Sequence, residues 1–305
     1  MTTLVTGATG FIGSHVARLL AGRGEQLRLA LERGAPTAQI DDLDAARVTC
    51  DVRDRRSVRR ALRDVERVYH CAGVTSVRPA DAERLFAVNV GGTRIVLEES
   101  LRAGVERVVH LSSAAALGPA NQGGAIDERH RFDAAGLGIP YVASVRAAEL
   151  EALRLQARGL PVVCANPAMT FGPGDVNLTS TRLVRSFLLG RITAYAEGAV
   201  CIVDVRDVAR GVIAAGELGE PGERYILGGR NFTFDRLFAD LGRLSGNDPP
   251  LRVPAGVAGV AALLLGASGR GWPLTATEVR AASHWWTYRS TKAARELNWR
   301  ARPHE

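Results

Sequence analysis

Thr6-Gly7-Ala8-Thr9-Gly10-Phe11-Ile12-Gly13 closes an apolar run at Thr3–Thr6 and opens a stretch that sets Ile12, Val16, Leu19 and Leu20 on one helical face. Glycines at this spacing let the chain turn sharply, let an anion approach the amides of a helix N-terminus, and let the helix pack tightly on the strand. A glycine triplet on its own also writes a plain tight turn. Set between a strand and a helix, this one points to a cradle for a dinucleotide pyrophosphate. Gly7, Thr9, Gly10, Phe11, Ile12 and Gly13 are its candidate cofactor-binding residues.

Outward from this turn, short apolar runs alternate with helix-length amphipathic stretches, as in a parallel sheet with helical crossovers. Strands are expected at Thr3–Thr6, Gln26–Leu31, Ala46–Thr49, Arg67–Cys71, Arg107–Ser112 and Val162–Ala165, with a helix near Asn89–Ala103. Beyond Pro167 the turn sequences FGPGD, GEPGE, GGRN and SGNDPP separate shorter elements. The expected fold is α/β, a Rossmann-type doubly wound parallel sheet with a smaller C-terminal substrate-binding lobe. Residues 1–165 form the dinucleotide-binding domain, residues 201–218 return to it as strand and helix, and residues 166–200 and 219–305 form the lobe.

With 305 residues the chain is long enough for one large or two modest domains at roughly 150 residues each. A 46% apolar and 23% charged composition excludes a disordered chain and a multi-span membrane protein. Of 39 Lys plus Arg only Lys292 is lysine, so 39 − 1 = 38 are arginine, and a mechanism that needs an ammonium has a single candidate. The run Arg53–Arg63 is broken by Asp54 and carries Val58 and Leu62 at i, i+4, which reads as a solvated helix face rather than a nucleic-acid surface. Cys50, Cys71, Cys164 and Cys201 lie far apart without a CxxC pair, as free thiols of a reducing cytosol do. The six histidines show no metal-ligand spacing, and no metal is expected. No export leader opens the chain and Val253–Ala267 is too short to span a bilayer, which takes about 20 residues. A cytoplasmic protein with no membrane partner is expected, with Val253–Ala267 as a helix of the second lobe.

Further motifs follow in order along the chain. They are Asp51-Val52 after the third strand, His70-Cys71-Ala72-Gly73, Asn89-Val90-Gly91-Gly92-Thr93, and Ser112-Ser113 at a strand end. Tyr141-Val142-Ala143-Ser144-Val145-Arg146-Ala147-Ala148-Glu149, Asn166–Asp175 and Ser290–Trp299 complete the series. Together they resemble the extended short-chain dehydrogenase/reductase family over nearly the whole chain. The resemblance implies that Asp51 and Val52 hold the adenine, and that Cys71, Ala72, Gly73 and Asn89 line the cofactor. It also implies that Ser113 and Tyr141 are catalytic, and that Tyr141, Pro167, Ala168 and Met169 complete the cofactor-binding set. The family's tyrosine helix often forms a dimer interface; Glu149, Glu151 and Arg154 show no pattern that requires one here, so a homodimer stays an open alternative.

Cofactor choice turns on Glu32, 19 residues past Gly13, and on Arg33 beside it. A carboxylate there accepts the ribose hydroxyls and repels a 2′-phosphate, whereas a guanidinium clamps that phosphate. NADP is favoured slightly, with NAD kept open.

The family pattern has a lysine one turn after the tyrosine, and here that position is Val145. Arg146 lies about 100° further round the helix and cannot relay a proton. Without the ammonium a tyrosine of pKa near 10 is ionised to roughly one part in a thousand at pH 7, which starves alcohol oxidation of its base. Reduction of a ketone needs a hydride and a proton donor only. An NAD(P)H-dependent ketoreductase follows, acting on a small-molecule ketone. The sequence is similar to atypical reductases of aromatic polyketides in antibiotic biosynthesis, of the angucyclinone kind, whose substrate phenol can itself protonate the alkoxide. Met169, Thr170, Phe171 and the His284–Tyr288 aromatics can line a pocket or pack a core. Two alternatives stand beside this reading: a non-catalytic NAD(P)-binding sensor or scaffold, and a nucleotide-sugar epimerase or dehydratase.

Overall fold

Successive buried side chains of the first strand point to opposite faces and build two cores, one on each face of a single sheet. In β1 (Thr2–Thr6) Leu4 packs with Val68, Val96, Leu97, Val108, Leu155 and Val162, while Val5 packs with Val16, Leu20, Leu29, Val109, Val163 and Val212. Each buried leucine of this kind contributes about 2 kcal/mol. The computed structural model describes residues 1–132, 135–254 and 276–303.

The main sheet adds β2 (Gln26–Leu31), β3 (Ala46–Thr49), β4 (Arg67–His70), β5 (Arg107–Leu111) and β6 (Val162–Pro167). Beyond β6, the segments β7 (Met169–Phe171), β8 (Ala194–Ala196) and β9 (Ala199–Asp204) lead to β10 (Arg224–Leu227). Seven strands pair in parallel in the order β10-β6-β5-β4-β1-β2-β3. Strand order reverses at β1, which pairs with both β2 and β4, so a crevice opens at the carboxyl ends of β1 and β4. Helix α1 (Phe11–Gly22) follows β1 and α2 (Arg55–Ala61) follows β3. Then α3 (Ala82–Leu85) runs through a π-helical turn, Phe86–Gly92, into α4 (Thr93–Ala103), and α5 (Pro140–Gln156) leads to β6. The arginine run is a capped, ion-paired helix face. Asp54 accepts from the Arg56 and Ser57 amides, and Arg55 and Arg59 pair with Glu98 and Glu99 of α4 at 2.6–2.9 Å.

A smaller sheet is built on β9, flanked by β11 (Arg230–Thr233) and β13 (Trp285–Trp286) and joined by β7. β8 pairs with β12 (Leu251–Val253) beside it. Helices α6 (Thr181–Leu188), α7 (Val205–Leu218) and α8 (Phe234–Ser245) follow in chain order, and Phe187, Val200, Phe234, Leu237 and Phe238 form the core of this lobe.

The partition of the chain differs from the expected one in two places. Of the 201–218 segment α7 returns to the main sheet, where Val208, Val212 and Ile213 join the first core; its strand, β9, pairs in the small sheet, while its Cys201 and Val203 pack in the same core. From the 219–305 segment, β10 is the edge strand of the main sheet, and Ala293, Leu297 and Trp299 pack in the main core. A four-residue apolar run between turn signals looks the same in either sheet, and only its pairing partner distinguishes them. The apolar stretch 253–267 lies almost wholly outside the described residues. Among the described residues no helix is long and apolar enough to cross a membrane, and no His, Cys, Asp and Glu cluster has the make-up of a metal site.

Candidate active site

At the crevice, Gly7 takes φ +66°, and a Cβ there would lie 2.6 Å from the Ala72 amide nitrogen. A Cβ on Gly13 would lie 2.1 Å from the Gly7 carbonyl oxygen. Both glycines are therefore required for turn, helix and β4 to meet. Gly10 caps α1 without a side-chain hydrogen bond, and no acidic residue occupies the first turn. The positive end of α1 is left bare beside Thr9, Phe11 and Ile12, all half-buried, which is the surface a pyrophosphate requires. The chain thus fits a dinucleotide by its own geometry.

Thr6, His70 and Thr93 tie the floor of this cradle together. The His70 ring nitrogens meet the Thr6 and Thr93 hydroxyls at 2.8 and 3.0 Å, and the Ala72 amide donates to the Thr6 hydroxyl at 3.2 Å. Burial lowers the His70 pKa to about 3, so the ring is neutral at pH 7 and braces the sheet. Cys71 and Ala72 are half-buried and Gly73 is exposed at the mouth.

Asp51 is held by Arg53, which donates to both its oxygens at 3.0 and 2.8 Å and keeps its carboxyl below the usual range. Val52 packs against Gly92, where a Cβ would lie 2.7 Å from its side chain. Glu32 and Arg33 follow β2, both exposed; the Glu32 carbonyl accepts from the Ala35 amide at 3.1 Å, and neither side chain has a hydrogen-bonded or ion-paired partner among the described residues. Arg53 lies close enough to Glu32 to feel its charge.

Tyr141 sits in the first turn of α5, behind Pro140. Burial raises its phenol pKa, opposed by the hydroxyls of Ser113 and Thr75. Ser113 follows β5; its hydroxyl accepts from the Ala115 amide at 3.2 Å, and its carbonyl accepts from Asn166 at 3.1 Å. Pro167, Ala168 and Met169 lie where β6 ends and β7 begins. Ala168 is fixed there by its backbone amide, which donates a hydrogen bond to the Leu227 carbonyl at 3.1 Å. The following loop folds back on α1, with His15 against the Pro173 carbonyl at 2.9 Å.

A model of the NAD dependent epimerase/dehydratase family matches residues 3–228. The chain belongs to that family. It is accordingly an NAD(P)-dependent oxidoreductase. It is 40% identical over 256 residues to "Sterol demethylase protein B" of Methylococcus capsulatus, covering 83% of this chain and 78% of that one. It is 29% identical over 231 residues to the "4-hydroxy-2-methyl-3-oxo-4-farnesyl-3,4-dihydroquinoline-1-oxide ketoreductase" of Stigmatella aurantiaca, covering 74% and 68% respectively. The crystal structure of gox2253 superposes with a TM-score of 0.88 at 35% identity, over 99% of this chain and 94% of that one.

Against that family's tyrosine helix, the place of the lysine is taken by Val145, only 8% exposed. Arg146 does turn away from it, pairing with Glu149 at 3.6 Å. Lys292 is spent elsewhere: it pairs with Glu223, donates to the Arg224 carbonyl at 3.1 Å and covers the Tyr225 ring.

Some residues that shape the site were not singled out by sequence. Glu149, fully buried, accepts from Ser112 at 2.8 Å, from Asn166, and from Arg224 at 3.0 Å, and so locks α5 to β5, β6 and β10. Its presence two turns after Tyr141, with asparagine at position 166, was the available signal. Asn89 is near the site but its amide is spent on Val74 and on Ser144 rather than left open. Of the aromatic cluster, Trp285 lines a 260 Å³ cavity with Gly124, Asn231, Thr287 and Arg289. Trp286 bonds the Ala281 carbonyl, and Tyr288 is buried against Gly118. A larger surface cavity of 700 Å³, lined by Arg18, Glu25 and Asp42 among others, opens where β2 and β3 begin, at the opposite edge of the sheet.

Proposed function

We propose that the chain is an NADPH-dependent ketoreductase that reduces a carbonyl of a bulky, largely apolar natural product, of the phenol-flanked aromatic polyketide type found in angucyclinones. The observation that carries this reading is Val145, apolar and buried one turn after Tyr141, where the family's ammonium would stand. A bound dihydronicotinamide supplies the hydride to the carbonyl carbon. Tyr141, neutral at pH 7 and with its pKa raised further by burial, presents its phenol O–H to the carbonyl oxygen, and Ser113 offers a second donor to the same oxygen. A substrate phenol adjoining the ketone can take over the proton donation. Arg33, exposed and without a side-chain partner among the described residues, and Arg53, held by Asp51 beside Glu32, favour a 2′-phosphate by offsetting the Glu32 charge. The sterol and farnesyl-quinoline names of the two relatives fit an apolar polycyclic substrate.

The test is NADPH consumption with tetralone and with its peri-hydroxy derivative, whose internal hydrogen bond supplies an acid. Tyr141→Phe is expected to lose roughly a hundredfold on tetralone and less than about tenfold on the hydroxylated ketone. Equal losses on both would reject assistance by the substrate, and no turnover of either by the parent chain would count against ketone reduction.

A further inference from the structure

The last backbone bond between the ends of β5 and β6 runs from the Ser112 amide to the Ala165 carbonyl at 2.8 Å. Past it the chain turns away into a short 3-10 turn, Ala114–Leu117, and among the described residues Ser113 has no backbone bond to β6. A side chain takes over. Asn166, fully buried near the end of β6, donates from its amide nitrogen to the Ser113 carbonyl at 3.1 Å and to the Glu149 carboxylate. Carbonyl and carboxylate are both acceptors, which fixes the orientation of the amide: the nitrogen faces them and the oxygen faces away. That oxygen, Oδ1, is buried without a partner among the described residues. A buried acceptor left unpaired is unfavourable, and an apolar side chain of similar size would avoid it. What the asparagine contributes here is therefore its donor.

Glu149 carries the link to the tyrosine helix. It lies two turns after Tyr141 on α5, and its oxygens are held by Ser112 at 2.8 Å and by Arg224, from β10, at 3.0 Å. The Ser113 hydroxyl accepts from the Ala115 amide at 3.2 Å and the Ser113 carbonyl from the Ala116 amide at 3.0 Å, so fixing that carbonyl fixes turn and hydroxyl together. We propose that Asn166 is a positioning residue: with Glu149 it sets the Ser113 hydroxyl against the Tyr141 helix, so that both donors meet one carbonyl oxygen. This rests on the reading of the site as a ketone reductase. Being wholly buried, Asn166 acts through Ser113 rather than on the substrate.

Asn166→Leu keeps the volume and removes the donor. With tetralone and NADPH it is expected to lower kcat roughly tenfold with KM within about twofold, and Ser113→Ala to do the same. Combined, the two are expected to lose no more than about threefold beyond either alone, because the second change removes a hydroxyl the first has already misplaced. An asparagine that only packs the core would give losses that multiply. Multiplied losses overturn the proposal, and so does a Ser113→Ala variant with the parent kcat. One readout needs no turnover: amide hydrogen exchange at Ala115 and Ala116 is expected to quicken about tenfold in Asn166→Leu while β1 and β4 keep the parent rates. Unchanged exchange at those two amides overturns the proposal. Where Asn166→Leu does not fold by circular dichroism, Asn166→Ala carries the same measurements. Faster exchange in a variant whose parent reduces neither tetralone nor its peri-hydroxy derivative upholds the hold on Ser113 and overturns the ketone reading instead.

Discussion

Val145 and Tyr141 share one face of α5, and what the chain does at neutral pH follows from what is missing between them. An ammonium beside a phenol stabilises its ionised form; an isopropyl group offers no such stabilisation, and burial raises the Tyr141 pKa. Restoring the cation is a direct probe. Val145→Lys is expected to lower the midpoint of Tyr141 ionisation, read by ultraviolet difference titration against a Tyr141→Phe variant, by about one pH unit or more and to raise tetralol oxidation at pH 7 roughly tenfold. Absence of both changes in a folded, cofactor-binding variant would show that the phenol does not govern the proton. The substitution of lysine was legible in the sequence because it falls inside a motif of fixed spacing. The fastening of Val74 to the tyrosine helix was not legible, because the side chain that makes it is Asn89, 15 residues further along the chain.

At the scale of elements, the turn from β1 into α1 is the feature that local sequence determined most fully. Its glycines are demanded by contacts of 2.6 and 2.1 Å that any Cβ would make, and these contacts lie within the turn itself or against the end of β4. Gly13→Ala is expected to force helix and turn apart at a cost of about 1–3 kcal/mol. Read by isothermal titration, that is roughly a ten- to hundredfold weaker Kd for NADPH, with the far-ultraviolet circular dichroism unchanged. Binding at the parent affinity would mean that the cradle is not where the cofactor sits. The register of β10 beside β6 was beyond local reading. Arg224 reaches Glu149 and the Glu128 backbone from that strand, contacts made across about 75 and 96 positions of chain, and such pairings carry no periodic signal.

For the molecule as a whole, the reversal of strand order at β1 puts the cradle, the end of β2 and the Tyr141 helix along one carboxyl edge of the sheet. Six of the seven main strands were readable from apolar runs bounded by turn residues, since the inner ones are covered on both faces by helices that the sequence also marks, although β3 at the edge is largely exposed. The lobe was less readable, because its strands are two to six residues long and borrow their partners from distant segments. At the far end of the crevice, Arg33→Ser is expected to weaken NADPH binding roughly tenfold or more while leaving NADH binding within about twofold, as loss of one charge-assisted bond to a 2′-phosphate requires. Parallel weakening of both cofactors would assign Arg33 to the surface instead.

At any single pH the equilibrium constant fixes the ratio of forward to reverse kcat/KM, so the missing ammonium shows itself in pH profiles rather than in that ratio. The decisive measurement is kcat/KM for oxidation of tetralol by NADP from pH 6 to pH 9. A phenol raised above its ordinary value of 10 must be ionised before it accepts a proton, so the rate is expected to climb about tenfold per pH unit without levelling. A profile that flattens near pH 7 would contradict the account, for it would mean that the site holds a base already ionised at neutrality.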